Sequence, residues 1–316
     1  MHRIAVGSGS PEGTNSAYVI PDLGAVIDPG PAGDASWERL VKGFEDTHIS
    51  LSEISSVFVT HWHMDHAGLA PRLSADADTT LYMHEDDAPL VAEYADERTQ
   101  RLDHDARTLA RWGVSEESIS AIQATDDPTP VPDEFPVRPL SDSDRVSGFE
   151  VLHTPGHTLG HTAFAADGML FVGDAVLPTY TPNVGGSDTR TEKPLETYLR
   201  TLRRLRYREE TAYPGHGTGL DLEARIDEIQ SHHERRSRRI HALVVEYERI
   251  TPWKVATQLF GEMHGIHAKM GAGEAAAHLT HLDAIEYVER VADDPETFVP
   301  IETSNPNELT LQEEDY

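Results

Sequence analysis

Thr60-His61-Trp62-His63-Met64-Asp65-His66-Ala67-Gly68 is the stretch on which the reading of this chain turns. Three histidines and an aspartate follow directly on Ser56-Val57-Phe58-Val59-Thr60, an apolar β-branched run that reads as a buried strand. Side chains of an extended strand repeat every two residues, so His61 and His63 point to one side and can converge on one ion. Asp65 and His66 lie beyond the turn and can serve a second ion. Imidazole and carboxylate without thiolate suit Zn²⁺, and Fe or Mn are also compatible. An isolated histidine is ordinarily a solvated or hydrogen-bonded side chain. Four potential ligands at this spacing differ, because close histidines repel when protonated and lose hydrogen-bond partners when buried neutral. A metal removes both difficulties.

Composition bounds what surrounds this cluster. At 316 residues and 38% hydrophobic content, the chain is long enough for one large domain with an appendage and a substantial core. The opening Met1-His2-Arg3-Ile4-Ala5-Val6 is too short and polar for a secretory signal, and no apolar run approaches the roughly 18 residues of a membrane span. The expected setting is therefore cytoplasmic, with no membrane partner. Cysteine is absent, which excludes disulfides and thiolate ligands. Lys and Arg number 26 against 55 Asp and Glu, a net charge of −29, and the only lysines are Lys42, Lys193, Lys254 and Lys269. Such a surface repels itself at low ionic strength and is screened within roughly 3 Å at molar salt. Adaptation to a salt-rich, halophilic cytoplasm explains it. Attraction of cationic substrates explains it less well, because the acids are spread along the whole chain.

In chain order, Arg3–Val6, Ser16–Ile20 and Gly24–Ile27 read as a β-meander, with the turn-rich Gly7–Gly13 and Pro21–Gly24 between its runs. Ala35–Phe44 reads as a helix, and Thr80–His84 as a further strand. Residues 85–124 turn helical and polar, and Asp126–Pro139 is proline-rich. This insertion is expected to wall the site, as irregular surface segments often do. Its histidines, His84 and His104, lack ligand-like spacing and are expected at the surface.

The pattern HxHxDH after a strand resembles the metallo-β-lactamase superfamily, and further motifs of that family follow in order. Gly13-Thr14-Asn15-Ser16 and Ile27-Asp28-Pro29-Gly30 resemble its opening sheet, where the aspartate is usually structural. Thr154-Pro155-Gly156-His157-Thr158 contains its PGHT turn, flanked by His153 and His161, which take supporting roles. Gly173-Asp174 ends an apolar strand, and Tyr213-Pro214-Gly215-His216-Gly217 closes the set. The resemblance implies an α/β fold, an αββα sandwich. It also implies that His61, His63 and His157 hold one ion, Asp65, His66 and His216 a second, and that Asp174 bridges them. Two Zn²⁺ are expected, with Fe or Mn possible. The implied chemistry is hydrolysis by metal-activated hydroxide, in which Asp65 also orients the attacking oxygen as a catalytic group.

Leu177–Gly185 follows Asp174 and resembles a loop of the β-lactamase-like endoribonuclease branch, which makes Tyr180 and Asn183 candidate substrate contacts. Residues 1–220 are read as the catalytic domain and 221–316 as a smaller, mostly helical, winged-helix-like domain. Asp221–Ile250 is expected as one amphipathic helix, and a second starts at Thr251-Pro252-Trp253. A third is expected over Gly273–Val291, before a hairpin that pairs Thr297–Ile301 with Glu308–Gln312 across Ser304–Asn307. From residue 221 onward nine Lys and Arg stand against twenty Asp and Glu, a balance of −11, so phosphate binding by this region as a whole is disfavoured, and the basic cluster Arg235, Arg236, Arg238 and Arg239 is expected to take a structural or active-site-wall role, with a local anion as the alternative. The expected substrate is a small-molecule acyl ester or thioester. Single-stranded RNA cleaved by an endoribonuclease is the alternative, and a non-catalytic, metal-stabilised binding module a more distant one.

Overall fold

A computed structural model of the chain describes residues 1–7, 12–301, 309 and 311. It divides into two compact units. The first comprises Met1–Thr99, Pro128–Pro182 and Thr201–Arg225, and the second Gln100–Asp127, Asn183–Arg200 and Ile226–Tyr316. The last change of unit falls at Arg225 and Ile226. The second unit additionally draws in two segments from earlier in the chain.

Two sheets build the first unit. One runs in chain order through β1 (His2–Ala5), β2 (Ser16–Ile20), β3 (Ala25–Ile27), β4 (Ser56–Phe58), β5 (Thr80–His84) and β6 (Val137–Leu140). Its first three strands form the antiparallel meander, and β3 to β6 are parallel. Parallel neighbours need crossovers. α1 (Asp34–Thr47) supplies the first, α2 (Met64–Ala67) with α3 (Ala70–Ala77) the second, and α4 (Pro89–Ala92), α5 (Tyr94–Arg111) and α6 (Glu116–Gln123) lie in the third. The other sheet contains β7 (Arg145–Val146), β8 (Phe149–His153), β9 (Thr162–Ala166), β10 (Met169–Gly173) and β11 (Thr211–Pro214), in the order β11-β10-β9-β8-β7. Only its β10–β11 pair is parallel, and α7 (Pro194–Arg206) lies in that connection.

Strand alternation sorts the core into two layers. On β2, Tyr18 and Ile20 face the second sheet, whereas Ala17 and Val19 join Leu40 and Phe44 of α1 and Leu73 of α3 on the outer face. Phe58 and Val57 divide in the same way. The Phe58 ring stacks on Tyr82 at 5.0 Å and meets Phe149 and Phe164 of the second sheet at 4.9 and 5.1 Å. The strand that delivers the histidine cluster is thus anchored at the centre of the sandwich.

The second unit contains α8 from Ile226 onward (the whole helix is Leu222–Tyr247), α9 (Pro252–Phe260), α10 (Ile266–Ala284) and the hairpin β12 (Val288–Asp293) with β13 (Glu296–Pro300). Thr251 caps α9 by accepting a hydrogen bond from Lys254 N–H. Leu109, Trp112, Ile119 and Ile122 pack with Ala268, Ala272 and Ala276 of α10. Buried Lys269 donates to Asp105 at 2.6 Å, and Thr189 donates to the other oxygen of that carboxylate. These contacts explain why residues 100–127 and 183–200 belong to this unit.

The third helix differs from the expected Gly273–Val291. It starts at Ile266 and stops at Ala284, because Glu286 takes a left-handed φ of 60° and Tyr287 N–H bonds back to Leu282. Val288–Asp293 is therefore strand, and it is the observed partner of Glu296–Pro300. The expected strand over Glu308–Gln312 and its turn fall outside the described residues, Leu309 and Leu311 excepted, as does most of the Gly7–Gly13 turn. Two arginines of the basic cluster are committed locally: Arg236 pairs with Glu274, and Arg238 with Glu234 and the Leu309 carbonyl. No helix among the described residues is long and apolar enough to cross a membrane.

Because Phe58 contacts both sheets, Phe58→Ala is expected to cost about 3–5 kcal/mol of stability by emptying a site that cannot collapse. Chemical denaturation measures this, and a loss under about 1 kcal/mol would show that the sheets do not close on that ring.

Candidate metal centre

Beyond β4 the chain leaves the sheet, and His63 precedes the single turn α2. Gly68 ends that turn in close quarters: a Cβ there would meet the Ala32 backbone nitrogen at 2.3 Å and the Met64 carbonyl at 2.4 Å. The turn presses Asp65 and His66 towards the ends of β10 and β11. Three groups of donors result, each with its ligand atoms within 4.8 Å of one another: His61, His63 and His157; Asp65, His66 and His216; and His61, His66 and Asp174. The third shares members with both others, as a bridging carboxylate requires. All seven expected side chains therefore meet at one place in the first unit.

Hydrogen bonds preset these side chains. Asp28 accepts from the Thr60 N–H at 2.7 Å and the Thr60 hydroxyl at 2.8 Å. The Thr60 proton is thereby used, so at His61, 3.0 Å away, it is Nδ1–H that donates to Thr60 and Nε2 that turns to the site. Asp28 also accepts from His66 Nδ1 at 3.1 Å, which leaves His66 Nε2 facing inward. His161 Nε2 accepts the Asp174 N–H at 3.1 Å, and its Nδ1 lies 2.8 Å from the Thr154 hydroxyl, a supporting position.

Several groups at the centre are poorly matched to one another. His63 Nδ1 faces both His61 Nε2 and His157 Nε2 at 3.1 Å, and one proton there can serve only one of the two contacts. Asp174 Oδ1 is buried and accepts no hydrogen bond. A Cβ on Gly215 would come within 2.3 Å of that same oxygen. Lone pairs facing lone pairs around a buried carboxylate fit cations between them. The donor set, imidazole and carboxylate, suits a transition metal.

Charge follows the same logic. Burial pushes His61 well below the ordinary imidazole value, and His66 and His63 add to this, so it is neutral as a ligand must be. Burial also lowers His161 well below that value. Burial opposes a charge on His66, yet Asp174 and Asp65 outweigh it and raise that group well above the usual value. His216, likewise opposed by burial and favoured by Asp174, is raised to about 10. Burial would raise Asp174 and Asp65, but the neighbouring histidines hold both low. Protons on His66 and His216 thus stand where the carboxylates call for positive charge.

Two supporting residues were not anticipated. Asn15 donates to both the carbonyl and the carboxylate of Asp65 at 3.0 Å. Its sole sequence signal was its place in the Gly13–Ser16 motif. Asp87, fully buried, accepts from Trp62 N–H, the Thr158 hydroxyl and Gly160 N–H, and so ties the His61-Trp62-His63 segment to the PGHT turn. Nothing in its sequence neighbourhood distinguished it. His84, expected at the surface, is instead buried and stacked on His153 at 4.0 Å, because β5 carries it inward beside the end of β8. Of the loop candidates, Tyr180 is exposed. The Asn183 amide is used within the fold: Oδ1 accepts from Gly186 and Ser187 N–H of its own loop, and Nδ2 donates to the Met270 carbonyl of α10.

The sequence profile of the metallo-beta-lactamase superfamily matches residues 9–216. A probable metallo-hydrolase of Bacillus subtilis is 26% identical over 84% of this chain and 86% of its own length. A fungal atrochrysone carboxyl ACP thioesterase, from Aspergillus fumigatus, is 25% identical over 72% of this chain, a match that spans 59% of the fungal protein. The crystal structure of a metallo-beta-lactamase family protein from Thermus thermophilus superposes with a TM-score of 0.77 at 26% identity, covering 95% of this chain and 98% of that one.

The geometry makes two measurable demands. Asp87→Ala strips three donors of their acceptor and is expected to cost about 2–4 kcal/mol, read by chemical denaturation; an unchanged midpoint would show that the clamp is dispensable. Metal must displace the protons that the raised His66 and His216 carry at pH 7, so metal uptake is expected to release protons. Release from these two groups fades as pH rises through their folded-state values, near 10 for His216. Calorimetry in buffers of differing ionisation enthalpy reads the release, and a buffer-independent heat at pH 7 would contradict it. With these seven side chains gathered at the ends of the strands and the profile spanning most of the chain, this protein belongs to the metallo-β-lactamase superfamily of metal-dependent hydrolases.

Proposed function

We propose that the chain is a dinuclear hydrolase of acyl esters or thioesters, with His61, His63 and His157 holding one ion, Asp65, His66 and His216 the other, and Asp174 between them. The observation that carries this is the convergence of all seven donors around a buried carboxylate oxygen that accepts no hydrogen bond. Zinc suits the donors best, and iron or manganese fit the same set. When bound, two such ions supply Lewis acidity, lowering the pKa of water and polarising the substrate carbonyl.

The chain's own residues do the positioning. Asp65 is 43% exposed, unlike the other carboxylates of the centre, and so lies at its solvent side. Held by Asn15, it accepts a hydrogen bond from the attacking water and orients it towards the carbonyl carbon. Asp28 holds the His66 ring in place, and His161 fixes the backbone of Asp174. A thioester substrate is further supported by similarity to the fungal ACP thioesterase; its leaving thiolate requires little proton assistance.

A second reading, cleavage of single-stranded RNA, draws on Tyr180, which is exposed on the loop that follows Asp174 and could stack on a base. The −11 balance beyond residue 220 weighs against it. We read the C-terminal helices and hairpin as a winged-helix-like appendage without a nucleic-acid role, and the −29 charge as adaptation to a salt-rich cytoplasm.

A parallel turnover screen at molar salt with acyl thioesters, single-stranded RNA and bis-aryl phosphates tests the proposal. Thioester hydrolysis is expected, reduced at least about 100-fold by His63→Ala and abolished by chelation. Turnover that survives both treatments would place the chemistry away from this centre.

A further inference from the structure

The first sheet ends on β1, whose only partner among the described residues is β2. Val6 donates its N–H to Asn15 on the β2 side. In an antiparallel ladder successive residues alternate between the two edges, so Ile4 also turns to β2, and the N–H groups of Arg3 and Ala5 turn to the open edge. Beside that edge lies a groove of about 330 Å³, lined by Arg3, Ile4 and Ala5 of β1 and by Arg39, Lys42 and Asp46 of α1. Gly43 lets α1 sit close over the strand, since a Cβ there would meet the Ile4 side chain at 2.5 Å.

The cations of this groove are unusual for so acidic a chain. Elsewhere in the first unit Arg72, Arg204 and Arg208 each pair with a carboxylate. Arg3 instead donates to the Ser16 hydroxyl and Arg39 to the Val6 carbonyl, both neutral, and Lys42 makes no hydrogen bond or ion pair with any described residue. Asp46, one helical turn from Lys42, stays apart from it. Arg39 and Lys42 on the α1 side, and Arg3 on the opposite face of β1, therefore stand without a carboxylate partner among the described residues, beside backbone donors that no described strand uses.

We propose that this groove takes an acidic peptide segment of a partner protein in extended conformation, added as a strand to β1 with its carboxylates on the α1 face, against Arg39 and Lys42. Backbone pairing supplies affinity and the flanking cations supply selectivity, the division of labour usual in strand addition. A second copy of this chain does not fit, because pairing β1 with itself sets these cations against their own counterparts. Charges at a sheet edge also deter unwanted pairing. Here their common sign deters basic strands and admits acidic ones.

The test is fluorescence anisotropy with the full-length protein and two rhodamine-labelled heptapeptides, one alternating Glu and Val, the other Lys and Val. At molar salt, the condition of the turnover screen, only charges within roughly 3 Å of one another act, and saturable binding of the Glu peptide alone is expected. Ala5→Pro removes one outward N–H without touching the β2 side, and a loss of about three- to ten-fold is expected. Lys42→Glu is expected to cost about five-fold. If Ala5→Pro lowers the melting temperature to the working range, the exposed pair Arg39→Glu and Lys42→Glu carries the test. Equal binding of both peptides, or none, overturns the proposal. So does undiminished binding by folded Ala5→Pro, or, where that variant does not fold, by the Arg39→Glu, Lys42→Glu pair. Hydrolytic turnover is expected to be unchanged in these variants, which separates failure here from failure of the proposed activity.

Discussion

Asp174 sets the constraint on which the catalytic unit depends. Its carboxylate is buried at the end of β10, beside His66, His157 and His216, with one oxygen that accepts no hydrogen bond. A charge so placed is costly unless positive charge is brought to it. Protons on His66 and His216 meet that demand one way, and metal ions meet it another. The second way also relieves the ring nitrogens that face one another at 3.1 Å around His63. The same atoms that are poorly matched to one another are well matched to cations.

Much of the surrounding fold serves to hold that cluster together. The aromatic layer around Phe58 fixes β4 between the sheets, and Thr60, two residues on, is gripped by Asp28 from the end of β3. Asp87, from the segment after β5, reaches both the Trp62 backbone and the PGHT turn. Candidate ligands separated by more than 150 positions, His61 and His216, are thereby brought to one point by supports drawn from the ends of β3 and β5 and from the turn that leads into β9.

The candidate ligands were legible as a set because their chemistry is concentrated: HxHxDH, PGHT, Gly-Asp and Pro-Gly-His carry rare residue types at narrow spacing near the ends of strands. The sandwich was legible only through the family resemblance that these motifs carry; Ser16–Ile20 and Ser56–Thr60 by themselves read as short apolar strands. Asp87 and Asn15 were not legible. Single polar residues look like surface residues until tertiary contacts bury them, and no periodicity marks which will be buried. His84 was misplaced for the same reason. The end of α10 was missed because Ala284-Ile285-Glu286-Tyr287 has no glycine or proline to stop a helix; Glu286 itself adopts the left-handed turn. Lys269 paired with Asp105 draws residues 100–127 into the second unit, a long-range ion pair that linear composition does not show.

Metal content measures the central claim most directly. Full-length protein purified in high salt without chelator is expected to carry about two equivalents of transition metal per chain, and Asp174→Ala to lose at least one of them. A folded wild-type chain with no bound metal, and with stability unchanged by added zinc, iron or manganese, would contradict the account.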